Sequence, residues 1–408
     1  MNFTKRLIGI FLLGCAFLSA GAVGTDTLKV AFPQDTVGLH TVGAEADSLA
    51  ADKQVKKNIW KKISDYFAKS NHYDRSKKID FGIIGGPSFS SATGLGIGLV
   101  ASGLYSFDKA DTTLQLSNIS LFGNVSTTGM LVVGVRGNNF LPKDRFHFDY
   151  SLYVLSLPSN FWGVGYEAGN NDENKTDYSR LKFEFKPKFL FRVFENMYVG
   201  PAINLQYVKA SKMTEQALAL LGGNPDLEFW AYGAGLSLTY DSRDIITNAT
   251  RGHFLQLEQF FYPTQLGNEH RFYMTDLTYA TYHKAWKGAV IAGEFHSMLN
   301  FKDVPWPLLA AVGSPNRMRG YYEGRYRDKS IVEMQIELRQ HIWKRNGAVL
   351  WVGAANVFPE FRDMRLKKTL LNAGVGYRWA FKQGVNVRFD VGFSKNGLGF
   401  AFNINEAF

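Results

Sequence analysis

Residues 397–408 read Gly397-Leu-Gly-Phe-Ala-Phe-Asn-Ile-Asn-Glu-Ala-Phe408, and this stretch decides the fold. Its even positions carry Leu398, Phe400, Phe402, Ile404, Glu406 and Phe408. Its odd positions carry Gly399, Ala401, Asn403, Asn405 and Ala407. A period of two predicts a strand with one apolar face and one small or polar face. A single such strand fits many folds, but here the pattern recurs back to about residue 80.

Residues 180–191 show the alternation most clearly. Leu181, Phe183, Phe185, Phe189 and Phe191 share one face, while Arg180, Lys182, Glu184, Lys186 and Lys188 share the other. An Arg or Lys on the lipid face at the bilayer midplane costs ~2–4 kcal/mol, so the charged face must line a watery interior. Residues 330–343 repeat the arrangement. Val332, Met334, Ile336, Leu338 and Ile342 oppose Glu333, Gln335, Glu337, Arg339 and His341. Farther on, Val385, Val387, Phe389, Val391 and Phe393 oppose Asn386, Arg388 and Asp390, and residues 371–381 supply one more apolar row.

Strands separated by Gly, Asn, Asp and Pro clusters are predicted near 80–88, 94–107, 112–124, 127–138, 144–157, 178–192, 196–210 and 229–241. The others lie near 252–263, 271–284, 288–300, 328–343, 347–358, 370–382, 384–394 and 397–408. Sixteen is an even number, as a bacterial barrel needs. The chain therefore reads as all-β: a sixteen-stranded antiparallel transmembrane β-barrel over residues 80–408. Composition agrees, with 15% aromatic residues, 40 glycines and only 20% charged residues. The slightly negative mean hydropathy follows, because polar lumen residues dilute the lipid-facing ones.

The N-terminus gives the address. Lys5 and Arg6 precede an apolar run from Leu7 to Leu18, with small residues following, which predicts a signal peptide over 1–24 cleaved after Ala22 or Gly24. Leu12-Leu13-Gly14-Cys15 also has the outline of a lipoprotein signal, although the apolar run continues past Cys15. Ordinary cleavage leaves a mature chain without cysteine, suited to an oxidising periplasm. No stretch is long and apolar enough for a membrane-spanning helix. The net charge of +10 drops by two once Lys5 and Arg6 leave. Nucleic acid is not an expected partner of an exported chain; outer-membrane lipid and unfolded acidic segments are. Residues 25–79 form a short periplasmic segment in this reading. Val55, Ile59, Trp60, Ile63, Tyr66 and Phe67 lie at helical spacing in Lys-rich surroundings, which predicts one amphipathic helix over 52–69.

The longest connection, roughly 301 to 327, falls between strands eleven and twelve. It ends Arg317-Met-Arg-Gly-Tyr-Tyr-Glu-Gly-Arg-Tyr-Arg-Asp328. An Arg-Gly-Tyr tripeptide, here Arg319, Gly320 and Tyr321, in this loop of a sixteen-stranded barrel resembles the BamA/TamA outer-membrane assembly superfamily. Three further stretches carry the likeness. Glu337-Leu-Arg339 matches an inward Glu with an Arg two residues on. Asp241-Ser-Arg243-Asp244 followed by Thr250-Arg-Gly252 resembles the link between strands eight and nine. Phe400, Phe402, Ile404 and Phe408 are similar to the C-terminal signal that hands barrels to the assembly machinery. The likeness spans about residues 229–408; the first half matches by periodicity alone.

The resemblance implies a loop folded back into the lumen, with Arg319, Gly320, Tyr321 and Asp328 facing Glu337 and Arg339. The family often offers an Asp on strand thirteen, but residues 351–356 hold no acid. Glu337, alone or with Glu333, is then expected to take Arg319, in a bidentate pair. Residues 25–79 are too short for the POTRA domains of the family's assembly and secretion members.

No enzyme is expected. The chain has no Gly-x-Ser-x-Gly and no His-Glu-x-x-His, and His270, His283 and His296 stand apart without a local carboxylate pattern. Gln256 and Glu258 read as lumen lining. No cofactor or metal is implied. Two functions remain open: a translocation or assembly factor of the outer membrane, acting on unfolded outer-membrane proteins or with a periplasmic partner, or a passive or regulated pore. Gly82, Gly85, Gly86 and Pro87 crowd the first strand and the last strand has a small-residue face. Both features predict a weakly zipped seam between them.

Overall fold

A computed structural model describes residues 77–408, apart from 91–92, 109, 112–113, 224 and 383–384. The signal peptide, its Cys15 and the helix expected over 52–69 lie outside the described residues. The barrel strands are β1 Asp80–Ser90, β2 Gly94–Tyr105, β3 Ser117–Ser126, β4 Leu131–Phe140, β5 Phe146–Phe161, β6 Thr176–Phe194, β7 Met197–Ser211 and β8 Glu228–Asp241. They continue as β9 Gly252–Tyr262, β10 Phe272–Lys284, β11 Ala289–Lys302, β12 Ser330–Trp343, β13 Asn346–Phe358, β14 Leu370–Lys382, β15 Val385–Ser394 and β16 Gly397–Ile404.

Each strand pairs antiparallel with its sequence neighbours and β16 returns to β1, which closes a sixteen-stranded barrel. Closure satisfies backbone groups that lipid would otherwise leave unpaired. The predicted strand number therefore stands, with shifted bounds. β4 starts later than expected, because residues 127–130 form the hairpin turn where a strand start was read, and β3 begins at Ser117 rather than near 112. β16 ends at Ile404 instead of running to Phe408.

The period-two reading of the faces also holds. Leu181, Phe189, Met334, Ile336, Leu371, Val375, Phe393 and Leu398 all point to the exposed outer wall. Lys182 meets Glu184 at 2.7 Å, and Lys186 and Lys188 both reach Glu258, on the inner wall. The longest connections gather at one end. That end carries residues 162–175, 212–227 and 303–329, including the short helices α1 Tyr166–Asn170 and α2 Glu215–Leu220. The other end carries tight turns such as 195–196 and 344–345, together with the point where the described chain enters β1. In outer-membrane barrels the short turns are periplasmic and the long loops external.

The seam differs from every other pairing. Among the described residues, the register pairs of β1 with β16 are Phe89↔Phe402 and Ser90↔Ala401. By contrast β1 pairs with β2 along its whole length, from Asp80↔Leu104 to Ser90↔Gly94, with Pro87 opposite Ile97.

A barrel of this size encloses more space than its own side chains fill, and the long loop occupies part of it. Ala310, Val312, Met318, Tyr321 and Tyr326 from the loop pack on Ile331, Ala355, Val357 and Leu370 of β12, β13 and β14. A two-residue ribbon, Ala310–Ala311 against Arg327–Asp328, closes the base of the loop. One apolar cluster of this barrel is therefore loop against wall.

Candidate functional site

Glu337 and Arg339 are two residues apart on β12, so both side chains face the lumen. The Glu337 carboxylate is fully buried. One of its oxygens accepts from Arg319 Nη2, and the other accepts from Arg339 Nε at 2.9 Å. Arg319, 2% exposed, does not form the expected bidentate pair. Its second arm, Nη1, donates to Asp390 Oδ2 at 2.9 Å. The missing acid of strand thirteen is thus replaced from β15. Strand thirteen contributes a ring instead: the guanidinium carbon lies 3.8 Å from the Trp351 centroid. A planar, delocalised cation can divide its donors between two acids while stacking on an indole. Glu333, the other expected acid, bonds His296 Nδ1 at 2.8 Å, and Asp276 lies 3.4 Å from the other ring nitrogen.

The ion pairs close into a ring of alternating sign. From Asp390, Oδ1 accepts from Arg378 Nη1 at 2.6 Å, and Arg378 Nε reaches Glu406 Oε2 at 2.7 Å. Glu406 lies 3.9 Å from Arg339 Nε, which returns to Glu337. Arg388 joins from the side, 3.3 Å from Asp390, and holds the loop through the Pro315 carbonyl at 2.8 Å. Every member of the ring is nearly fully shielded from solvent. Low local polarity raises the cost of leaving any of these charges unpaired. One carbonyl hydrogen bond, Asn372 Nδ2 to Arg319 O at 2.8 Å, fixes the loop backbone beside them.

Gly320 brings main chain against main chain. Its φ of +112° is a glycine conformation, and an added Cβ would sit 2.9 Å from Gly392 C on β15. A Cβ on Gly399 of β16 would lie 2.7 Å from the Gly320 Cα. Three glycines therefore seat the loop tip on the last two strands. Tyr321 Oη donates to Leu371 O at 2.9 Å on β14. Asp328 does not join this cluster, contrary to expectation. It sits in the ribbon opposite Ala310 and accepts from the Lys329 N–H at 2.8 Å, because the ribbon holds it at the loop base. Further loop arginines are also tethered: Arg317 bonds Glu294 through two nitrogens, at 3.0 and 2.7 Å, and Arg325 reaches Asp172 at 2.6 Å.

The motif between β8 and β9 builds a tight turn. Arg243 forks onto Asp241 at 2.9 and 2.7 Å, 4.3 Å above the Phe254 ring. Asp244 accepts from the Thr250 hydroxyl at 2.5 Å and from the Thr250 and Ile245 N–H groups. Its slight burial acts to raise its pKa, but these bonds to the charged form outweigh that and hold it below the usual value. Gly252, at φ +103°, lets Ser242 O approach where a Cβ would stand.

Phe408 leaves the row it shares in sequence with Phe400 and Phe402. Asn405 adopts φ +68°, a conformation asparagine tolerates better than most residues, and the following residues turn inward. Glu406 enters the ion ring. Arg339 Nη2 donates to the Phe408 main-chain oxygen at 2.9 Å, and the Phe408 ring packs beside Tyr282, Ala249 and Phe254. The Glu406 N–H also reaches Thr247 O in the β8–β9 turn at 3.4 Å. Three motifs that stand apart in sequence therefore meet in one place. Phe400 remains on β16, with its ring 6.4 Å from Phe89 of β1, and Phe402 is the register partner of Phe89. Ile404 ends β16, and its side chain lies outside the described set.

Residues 137–408 match the family model described as the Omp85 superfamily domain. The chain belongs to the Omp85 superfamily. It is a β-barrel of the outer membrane. No curated protein sequence matches it. Among solved structures it resembles BamA from Haemophilus ducreyi lacking POTRA domains 1–3, at TM-score 0.54 and 13% identity over 81% of this chain and 70% of that one. It also resembles CdiB from Escherichia coli, at 0.54 and 11%, over 80% of this chain and 63% of that one. CdiB from Acinetobacter baumannii gives 0.51 and 11%, over 81% and 60%. This Omp85 chain thus spans about two thirds of the length of the structures it matches, and at these identities they speak for the fold.

Of the residues forming the Omp85 barrel's ion ring, the sequence did not single out Asp390, Arg378 and Glu406 as partners. The signal available was parity: Arg388 and Asp390 both fell on the inward face, and two inward charges near the end of a barrel need partners. Nothing in the pattern pointed to Gly392 and Gly399.

Proposed function

We propose that this barrel moves protein or lipid into or through the outer membrane by parting β1 from β16, with the lumen loop setting when the seam opens. The observation that carries the reading is the seam itself, whose register pairs among the described residues are Phe89↔Phe402 and Ser90↔Ala401. The loop tip supports the reading, since Gly320 rests on Gly399 of β16 and Gly392 of β15. A loop seated there stiffens the closing strand, and its release frees that strand. The resemblance to the BamA and CdiB barrels and membership of the superfamily favour the same class of activity.

The alternative, a passive pore, is less well supported, because buried Met318, Arg319, Tyr326 and Arg327 of the loop occupy the lumen. The test is a staple across the seam. Ser90→Cys with Ala401→Cys places cysteines at register partners, in a chain whose natural cysteine is Cys15. Oxidation is expected to abolish client insertion or export in proteoliposomes, and reductant to restore it. A stapled protein that retains full activity would rule out lateral opening. A protein without client activity that conducts equally well oxidised and reduced would establish the pore.

A further inference from the structure

The short-turn end of the barrel carries a cleft in which the ion ring takes no part. It lies between the β4–β5 and β6–β7 turns, is open to its surroundings with a volume of about 530 Å³, and is lined by Lys143, Arg145, Phe146, Phe191, Arg192 and Phe194 among others. We propose that this cleft binds the headgroup of an anionic phospholipid in the periplasmic leaflet.

The turn is built to present cations. Lys143 and Asp144 adopt φ values of 62° and 53° in succession, a strained geometry for residues other than glycine that persists only when its surroundings enforce it. The enforcement is visible at Asp144. Its carboxylate accepts from Tyr198 Oη at 2.7 Å and from Arg192 Nη1 at 3.2 Å, with His147 Nε2 at 2.8 Å. Asp144 is thereby committed to neighbours, while Lys143 and Arg145 on either side of it stay exposed. Among the described residues neither has a carboxylate within ion-pair distance. Glu195 also lines the cleft, and it does not offset both free cations.

The cleft's other wall is apolar and continues the lipid-facing band. Phe146 stacks on Phe189 with centroids 5.9 Å apart and meets Phe191 edge-on at 5.4 Å. Phe191, Val193 and Phe194 are exposed, Phe194 at 72%. Aromatic residues on the outer wall beside unpaired cations match an amphiphile, with phosphate against Lys143 and Arg145 and glycerol and upper acyl chain against the rings. A free anion would make no use of the rings. At the opposite end, the exposed Lys209, Arg362 and Lys368 are paired with Glu228, Glu360 and Glu167 respectively.

The test is native mass spectrometry of the full-length protein in detergent, with phosphatidylglycerol or phosphatidylcholine added at matched concentration. Wild type is expected to retain phosphatidylglycerol preferentially. Each cation near an anionic headgroup is worth about five-fold in affinity, so Lys143→Gln with Arg145→Gln is expected to weaken that retention about 25-fold. Heat-modifiable gel mobility reports whether the variant remains folded. Arg362→Gln, at the far end, is expected to bind as wild type. Equal retention of the two lipids, wild-type retention by the double variant, or an equal loss in Arg362→Gln would each overturn the site. Displacement of the lipid by millimolar inorganic phosphate would reassign the cleft to a small anion and overturn the lipid assignment.

Discussion

Arg319 holds two acids from different strands, so its loss differs from the loss of either acid. Arg319→Ala leaves Glu337 with Arg339, and Asp390 with Arg378 and Arg388, yet it removes the loop's charged tether to the wall. Breaking one partner of a buried pair costs ~3–5 kcal/mol, and a loss near the lower end is expected because both acids keep other partners. Glu337→Ala instead leaves Arg319 and Arg339 facing each other across a void. The double variant should cost less than the two single losses combined, since the residues share one network. Arg319→Lys should recover little, because an ammonium cannot fork between Glu337 and Asp390 while stacking on Trp351. The midpoint of the heat-modifiable gel transition measures all four. Gly320→Ala should lower that midpoint too: a Cβ at φ +112° costs ~1–3 kcal/mol in strain, before its overlap with Gly392 is counted. Arg319 and Glu337 were legible because a loop motif preceded an inward Glu-x-Arg. Asp390 was not, because it lies 71 residues from Arg319 in the chain and only the curvature of the wall brings them together.

Turns and loops hold titratable groups whose pH dependence runs in opposite directions. Asp244 has a lowered folded pKa, so its contribution to the β8–β9 turn is complete above the ordinary aspartate value of about 3.9 and is lost as pH falls through the lowered one. Burial acts to lower the pKa of His270, but Asp303 at 2.8 Å and Asp226 at 2.9 Å prevail and raise it. Its contribution is therefore complete below the ordinary histidine value of about 6.5 and is lost as pH rises through the raised one. Hydrogen exchange across pH should show residues 263–271 loosening toward alkaline pH, and residues 242–251 loosening in acid. Asp244→Asn should remove the acid-side change; its persistence would assign that change to another group. The Asp241…Gly252 motif was legible as a unit, while its contact with residues 406–408 depended on the chain reversal at Asn405.

At the scale of the molecule, the barrel is closed as a sheet and obstructed by its own loop. Excising residues 310–328 removes the apolar cluster against β12–β14 and leaves Glu337 and Asp390 with surplus acceptor capacity. Planar-bilayer recordings of that variant should show larger and noisier conductance than wild type. Unchanged conductance would mean that the loop does not obstruct the pathway. Glu406→Gln should act in the same direction more weakly, since Arg378 keeps Asp390 but loses an acid 2.7 Å away.

The sequence by itself determined the class of fold, the number of strands and the facing of their side chains. A strand spanning lipid must alternate, and charge on one face admits only a wet interior. The likeness of the loop motif to the BamA/TamA superfamily further implied that Arg319 would face Glu337, whereas periodicity alone placed only Glu337 on the inward face. Tertiary structure alone decided that Asp390 shares Arg319, that Gly392 and Gly399 cradle Gly320, and that Phe408 packs inside. Those contacts join residues distant in the chain across the lumen. A period-two pattern fixes which way a side chain points and carries no information about what stands opposite.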